Sequence, residues 1–189
     1  MVICVFGSSG TEIDNKYIEK TECLGEALAK RGHSLMFGGG KNGLMGAAAR
    51  GFKKGGGYIV GVAPEFFKAG DVLYSECDEF VWPESMRDRK MYMEDNSDAF
   101  IVTPGGIGTY EEFLEVLTLK QLARQSKPIV VFNIDGFFDK LIEVIHDNVR
   151  DGFVRAQTPE LFKVTDNIEE VISICENDFF DINNIKFYD

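Results

Sequence analysis

The stretch Pro104-Gly105-Gly106-Ile107-Gly108-Thr109-Tyr110-Glu111-Glu112 constrains what this chain can fold into more than any other. It follows Ala99-Phe100-Ile101-Val102, an apolar run of the length of a buried strand. It precedes Phe113, Leu114, Val116, Leu117, Leu119 and Leu122, which fall mostly at helical spacing. The implied unit is strand, glycine loop, helix. Three glycines allow a tight turn and let a ligand approach the backbone with no β-carbon between. Free N–H groups at the helix start, together with the helix dipole, favour an anion there, and a phosphate is the natural guest. Glu111 and Glu112 admit two readings. They stabilise the first helical turn, where acidic residues are favoured, or a carboxylate addresses another part of an anionic ligand, such as a sugar.

A second loop of the same kind, Gly38-Gly39-Gly40-Lys41-Asn42-Gly43-Leu44-Met45-Gly46, joins a strand over 34–37 to a helix over 44–54. Two glycine loops at the carboxyl ends of strands say more together than either alone, because ligands of open parallel sheets sit outside those ends. The second loop lacks the GK[ST] ending of a P-loop, and no dinucleotide fingerprint follows the first strand. Gly7-Ser8-Ser9-Gly10, after a strand over 2–6, reads either as a phosphate contact or as a plain turn.

Further strands are expected over 58–62, 99–102, 129–133 and 161–164, with small extended pieces at 72–74 and 80–82. Helices are expected over 15–31, 85–96, from the central loop to a stop at Lys127-Pro128, 137–151 and 168–176. Leu141, Ile142, Val144, Ile145 and Val149 form the buried side of the helix over 137–151. Met86 and Met93, a heptad apart, give the helix over 85–96 an apolar face. Its Arg87, Arg89 and Lys90 are either a solvated face or the counter-charge for a phosphate. This alternation of strand and helix predicts an α/β fold in which helices cover both faces of a parallel sheet.

A chain of 189 residues is expected to be one domain, 1–189, whose aromatic and acidic tail, 176–189, packs on the body or on a second subunit. A net charge of −11 argues against a nucleic-acid polymer or an anionic membrane as partner. Cys4, Cys23, Cys77 and Cys175 are scattered and His33 and His146 stand alone, so no metal-ligand spacing is present. The cysteines read as small apolar side chains of a reducing cytoplasm. No signal-like segment precedes Val2, and no apolar run is long enough to span a bilayer.

Gly38-Gly39-Gly40 with Gly43-Leu44-Met45-Gly46, then Met86 with Arg89-Lys90, then Pro104-Gly105-Gly106-x-Gly108-Thr109-x-x-Glu112, resemble the Lonely Guy family. These are cytokinin-activating phosphoribohydrolases whose bacterial members have often been labelled lysine decarboxylases. The likeness runs from the first strand to about Cys175 and takes in Lys127-Pro128, Asn133-x-Asp135-Gly136 and Asp151-Gly152-Phe153. One departure is visible: Phe6 runs straight into Gly7-Ser8-Ser9, where family members carry one more residue.

The resemblance implies a Rossmann-like fold and a homodimer or larger assembly. It also implies hydrolysis of a nucleoside 5′-monophosphate, such as AMP or an N6-modified AMP, to free base and ribose 5-phosphate. Glu112 matches the family glutamate that stabilises a ribosyl cation or orients water. Arg89 matches the functional arginine, a fixed positive charge. The substrate-contacting set it implies is Lys90, then Gly105, Gly106, Ile107, Gly108, Thr109, Tyr110 and Glu111, with Ser8 and Gly39. No metal or other cofactor is needed.

Two other functions compete. A non-catalytic nucleotide or cofactor carrier would use the same cradle, but it needs the loop and not the Arg89–Glu112 pair. A lysine decarboxylase would need pyridoxal phosphate on a lysine, and no lysine is marked for that role. Met91, Met93, Trp82 and the Phe66-Phe67 region are candidates to line an apolar base pocket, but core packing is the commoner role for each.

Overall fold

Ala99–Val102 and Ile129–Phe132 carry no polar side chain and are buried at every position, so helices must cover the sheet on both sides. In the computed structural model, which describes residues 1–178, this is what they do. The strands β1 (Val2–Phe6), β2 (Ser34–Phe37), β3 (Ile59–Val62), β4 (Glu79–Val81), β5 (Ala99–Val102), β6 (Ile129–Phe132) and β7 (Lys163–Thr165) form one parallel sheet. Its order is β4-β3-β2-β1-β5-β6-β7. Between them run α1 (Asn15–Lys30), α2 (Gly43–Gly55), α3 (Met86–Asp95), α4 (Ile107–Gln121), α5 (Asp139–Arg150) and α6 (Ile168–Asn177).

Alternate strand residues serve opposite layers. Ile3, Val5, Leu35, Phe37 and Ile101 pack with Leu24 and Leu28 of α1, Phe52 of α2 and Val171 of α6. Cys4, Phe6, Met36, Phe100 and Val102 pack with Met93 of α3, Phe113 and Val116 of α4 and Ile145 of α5. From β1 the chain winds outward to the edge strand β4, and α3 then carries it back to β5 on the other side of β1. This Rossmann-like reversal parts the loops that leave β1 and β5, and a crevice opens between them.

Several expectations are corrected in detail. The helix after the central loop ends at Gln121, well before Lys127-Pro128, where Ala123 turns left-handed at φ 50°. Lys127-Pro128 instead leads into β6. Val144 is 53% exposed, because α5 covers the sheet chiefly through Ile145. Residues 72–74 join no strand of the sheet; Leu73 forms an isolated antiparallel bridge to Gly40. Leu161 closes a 3-10 turn, and the last strand starts at Lys163. Met86 and Met93 do not share a surface face. Met93 is 1% exposed, sealed in the protomer's own core, while Met86 hangs over the crevice at the start of α3. Met93→Glu would therefore bury an unpaired charge and destabilise the fold.

Most of the aromatic tail lies outside the described residues. Among those described, no helix is long and apolar enough to cross a membrane.

Candidate active site

Three loops meet at the carboxyl ends of β1, β2 and β5, and Ser8 ties them together. Its N–H donates to the Pro104 carbonyl at 3.2 Å, and its own carbonyl accepts from Leu44 at 2.8 Å and Met45 at 3.1 Å. The knot requires glycine at 43, where φ is +58° and a β-carbon would collide with the Ser8 carbonyl. The turn after Phe6, one residue shorter than in the family pattern, thus reaches both glycine loops through its backbone. Around this knot lies a cleft of about 690 Å³.

Arg89 and Glu112 face each other in the cleft. The Ser85 hydroxyl caps α3 by accepting from Asp88 N–H at 3.2 Å, and one turn on the helix delivers Arg89, 7% exposed. The Arg89 Nε donates to the Val62 carbonyl at the end of β3 at 3.0 Å, and Nη1 donates to Oε1 of Glu112 at 2.9 Å. Gly38 makes room for the guanidinium, since a β-carbon there would strike Nη2. Burial pushes the Glu112 carboxyl above the usual carboxylate range, and the Arg89 charge opposes that rise. The result is a desolvated carboxylate fixed in direction by an arginine that is itself fixed by the sheet.

Glu112 belongs to α4, which begins at Ile107 with Gly106 as its N-cap, and no side chain caps it. The N–H groups of its first turn therefore have no intrahelical acceptor and are available to an anion. Gly105 is a packing glycine, because a β-carbon would collide with the Thr109 side chain. Gly106 and Gly108 are different. Both line the cleft, neither has a left-handed φ, and a β-carbon on either would meet nothing within 4 Å. The protein's own packing does not demand glycine at these two positions, and the space kept clear borders the cleft. Thr109, 3% exposed, lines the same wall, and Ile107, 83% exposed, forms its lip. Since the helix starts at 107, Glu111 and Glu112 lie past its first turn and do not serve as N-terminal charges.

The structure does not gather every candidate into the cleft. Lys90 and Glu111 pair with each other outside it, and Lys90 also meets Glu115. Tyr110 turns its ring edge-on to Phe138 at 6.1 Å. Gly39 sits under the Phe80 ring, while its neighbours Gly38 and Gly40 form the wall. Arg87 is exposed on α3 and does not reach the cleft. Of the base-pocket candidates, Phe66 and Phe67 do line it, Met91 is 54% exposed elsewhere, and Trp82 stacks on Phe80. Sequence reasoning gave no wall position to Val72 and Leu73. The bridge from Leu73 to Gly40, with Lys41 N–H donating to Val72 at 2.8 Å, brings them there. It is a long-range pairing with no local signal.

Glu94 stands beside the Lys90 cluster, and burial, then the Glu115 charge, pushes its carboxyl up to about 7. Between its ordinary 4.5 and about 7 the folded chain holds a proton that the unfolded chain releases, so this group costs stability as pH rises through that window. Glu94→Gln should stabilise the protein by about 1–3 kcal/mol near pH 8 and by almost nothing near pH 4. Denaturant melts at the two pH values check this, and an equal gain at both would contradict it.

The family model described as possible lysine decarboxylase matches residues 45–175. The chain is 33% identical over 174 residues to a cytokinin riboside 5′-monophosphate phosphoribohydrolase of Arabidopsis thaliana, LOG2, covering 92% of this chain and 82% of that protein. It is 41% identical over 152 residues to a probable enzyme of the same name from Oryza sativa subsp. japonica, LOGL5, covering 80% of this chain and 62% of that one. Among solved structures, the molybdenum cofactor binding protein of Rippkaea orientalis superposes with a TM-score of 0.71 at 22% identity, over 93% of this chain and 94% of that one. At such identity this likeness concerns the fold. Model match and sequence relatives together place the chain in the Lonely Guy family, to which it belongs.

Proposed function

We propose that this protein hydrolyses the N-glycosidic bond of nucleoside 5′-monophosphates, releasing the free base and ribose 5-phosphate. One observation carries the reading: a buried, arginine-held carboxylate and the uncapped N-terminus of the helix that bears it line a single cleft. The 5′-phosphate docks on the N–H groups of Ile107, Gly108 and Thr109 and on the Thr109 hydroxyl. That places the ribose over Glu112 and the base against Phe66, Phe67, Val72 and Met86. As the bond from C1′ to the base nitrogen lengthens, positive charge grows on the sugar, and the Glu112 carboxylate stabilises it. Water adds its hydroxyl to C1′, and its proton goes to the base nitrogen. Arg89 keeps its proton and fixes the carboxylate.

The names of the curated relatives, which concern cytokinin riboside 5′-monophosphates, and the apolar wall both support an N6-substituted adenine as base. The test is incubation with AMP and with N6-isopentenyl-AMP, followed by chromatography for free base. Binding of either nucleotide without release of base would replace this reading with that of a carrier, as the named function of the Rippkaea relative suggests. Decarboxylation finds no support, because among the described residues no lysine lines the cleft to hold pyridoxal phosphate.

We also propose that the protein is one domain and works as a homodimer. Met91 on α3, Leu114 on α4 and Leu122 just past its end are apolar and more than 40% exposed, and we read them as part of the contact. Wild type should sediment as a dimer, and Leu114→Glu as a folded monomer. Wild type sedimenting as a monomer at micromolar concentration would exclude the dimer.

A further inference from the structure

Lys90 follows Arg89 on α3 and is turned away from the cleft. Its side chain is 17% exposed, and its ammonium sits between Glu111 and Glu115, one turn apart on α4. Glu112 lies between those two in sequence and pairs with Arg89. Two ionic ties therefore run side by side from α3 to α4, one inside the cleft and one behind it.

We propose that Lys90 is a positioning residue for the Arg89–Glu112 pair: from behind the cleft its ammonium, held by Glu111 and Glu115, locks α4 to α3 and offsets the negative charge beside Glu112. The inference rests on the hydrolase reading for what Glu112 does, but not for the charge it carries.

The groups around Glu112 make the sign plain. From α3 it faces Arg89 and Lys90, with Glu94 one turn further along. Its own helix brings Glu111 and Glu115. From β1 comes Cys4, whose thiol burial keeps neutral. Burial raises the proton affinity of Glu112 most, and Glu111 raises it further; Arg89 and Lys90 lower it. Arg89 is committed to Glu112 itself. Lys90 is thus the cation that answers Glu111 and Glu115, and without it the Glu111 charge would stand uncompensated beside Glu112.

The experiment follows the Glu112 carboxyl by carbon-13 NMR through a pH titration, with the signal assigned by its loss in Glu112→Gln. No substrate is needed. In Lys90→Met, which keeps the apolar stem, the midpoint should rise by about 0.5–1 pH unit relative to wild type. Lys90→Arg should restore it. Glu111→Gln, which removes a negative charge instead, should move it the other way. The acid limb of kcat for AMP should shift with the midpoint, lowering kcat about three- to tenfold on that limb and leaving KM within about twofold.

An unmoved midpoint in Lys90→Met overturns the proposal, as does a fall in kcat that is equal at every pH. If Lys90→Met does not fold, Glu111→Gln decides, and a midpoint there that stays or rises overturns it as well. Midpoints that move as stated in a wild type that releases no base would leave the role of Lys90 standing and remove the hydrolase reading alone.

Discussion

Replacing Glu112 with glutamine should lower kcat for nucleoside 5′-monophosphate hydrolysis about a thousandfold or more, a loss of about 4 kcal/mol, while KM stays within about an order of magnitude. Glutamine keeps the shape of the side chain and an oxygen to accept from Arg89 Nη1, now 2.9 Å from Oε1. What it removes is the negative charge, and charge is what the developing ribosyl cation needs. Affinity rests on other groups, chiefly the first turn of α4, so ground-state binding should survive. The substitution also leaves Arg89 without a counter-charge in a buried place, which carries a stability cost. A melt of the variant must therefore accompany the kinetics. Turnover close to that of wild type in a folded Glu112→Gln sample would remove Glu112 from the mechanism.

Pro104 to Glu112 was legible because two independent signals coincide there: a strand of uniform apolarity, and glycines at spacings that packing alone would not ask for. Gly105 is held by packing against Thr109, whereas at Gly106 and Gly108 nothing among the described residues fills the room their missing side chains leave. The sheet was legible for a related reason. Runs such as Ile129–Phe132 have no polar face and can only be buried on both sides.

Direction around a helix was harder to read. Adjacent residues differ by about 100° in bearing, so the sequence presents Arg89 and Lys90 as equals, and only packing decides that one enters the cleft and the other does not. On the same helix Met93 packs in the core, as core packing of such side chains would have it, but it does not share a face with Met86. A heptad repeat marks one stripe but does not say whether sheet, cleft or solvent lies beneath each end. The end of α4 was hidden because a left-handed alanine, Ala123, takes the place where glycine would have signalled a stop. The wall formed by Val72 and Leu73 depends on contact with a loop some thirty residues away, which no local pattern encodes.

Removing the 5′-phosphate should cost more than any single side chain that contacts the base. Adenosine should be cleaved with kcat/KM at least about a thousandfold below that of AMP, because charge-assisted hydrogen bonds contribute roughly 1.5–3 kcal/mol each and the cradle offers several. Net charge alone would oppose an anion on a chain carrying −11, so binding must come from local donors. The uncapped first turn of α4 supplies them. Gly108→Ala tests the same cradle from the protein side. In the free protein the added methyl meets nothing, and alanine suits a helix better than glycine by about 0.5–1 kcal/mol, so the variant should melt at the same temperature or slightly higher. With AMP it should show a KM raised about tenfold or more, since the methyl takes up part of the room left beside the phosphate. A variant that gains stability while losing substrate affinity separates a glycine kept for the ligand from one kept for the fold. If adenosine is cleaved as efficiently as AMP, or Gly108→Ala binds AMP as wild type does, the phosphate does not sit on this helix.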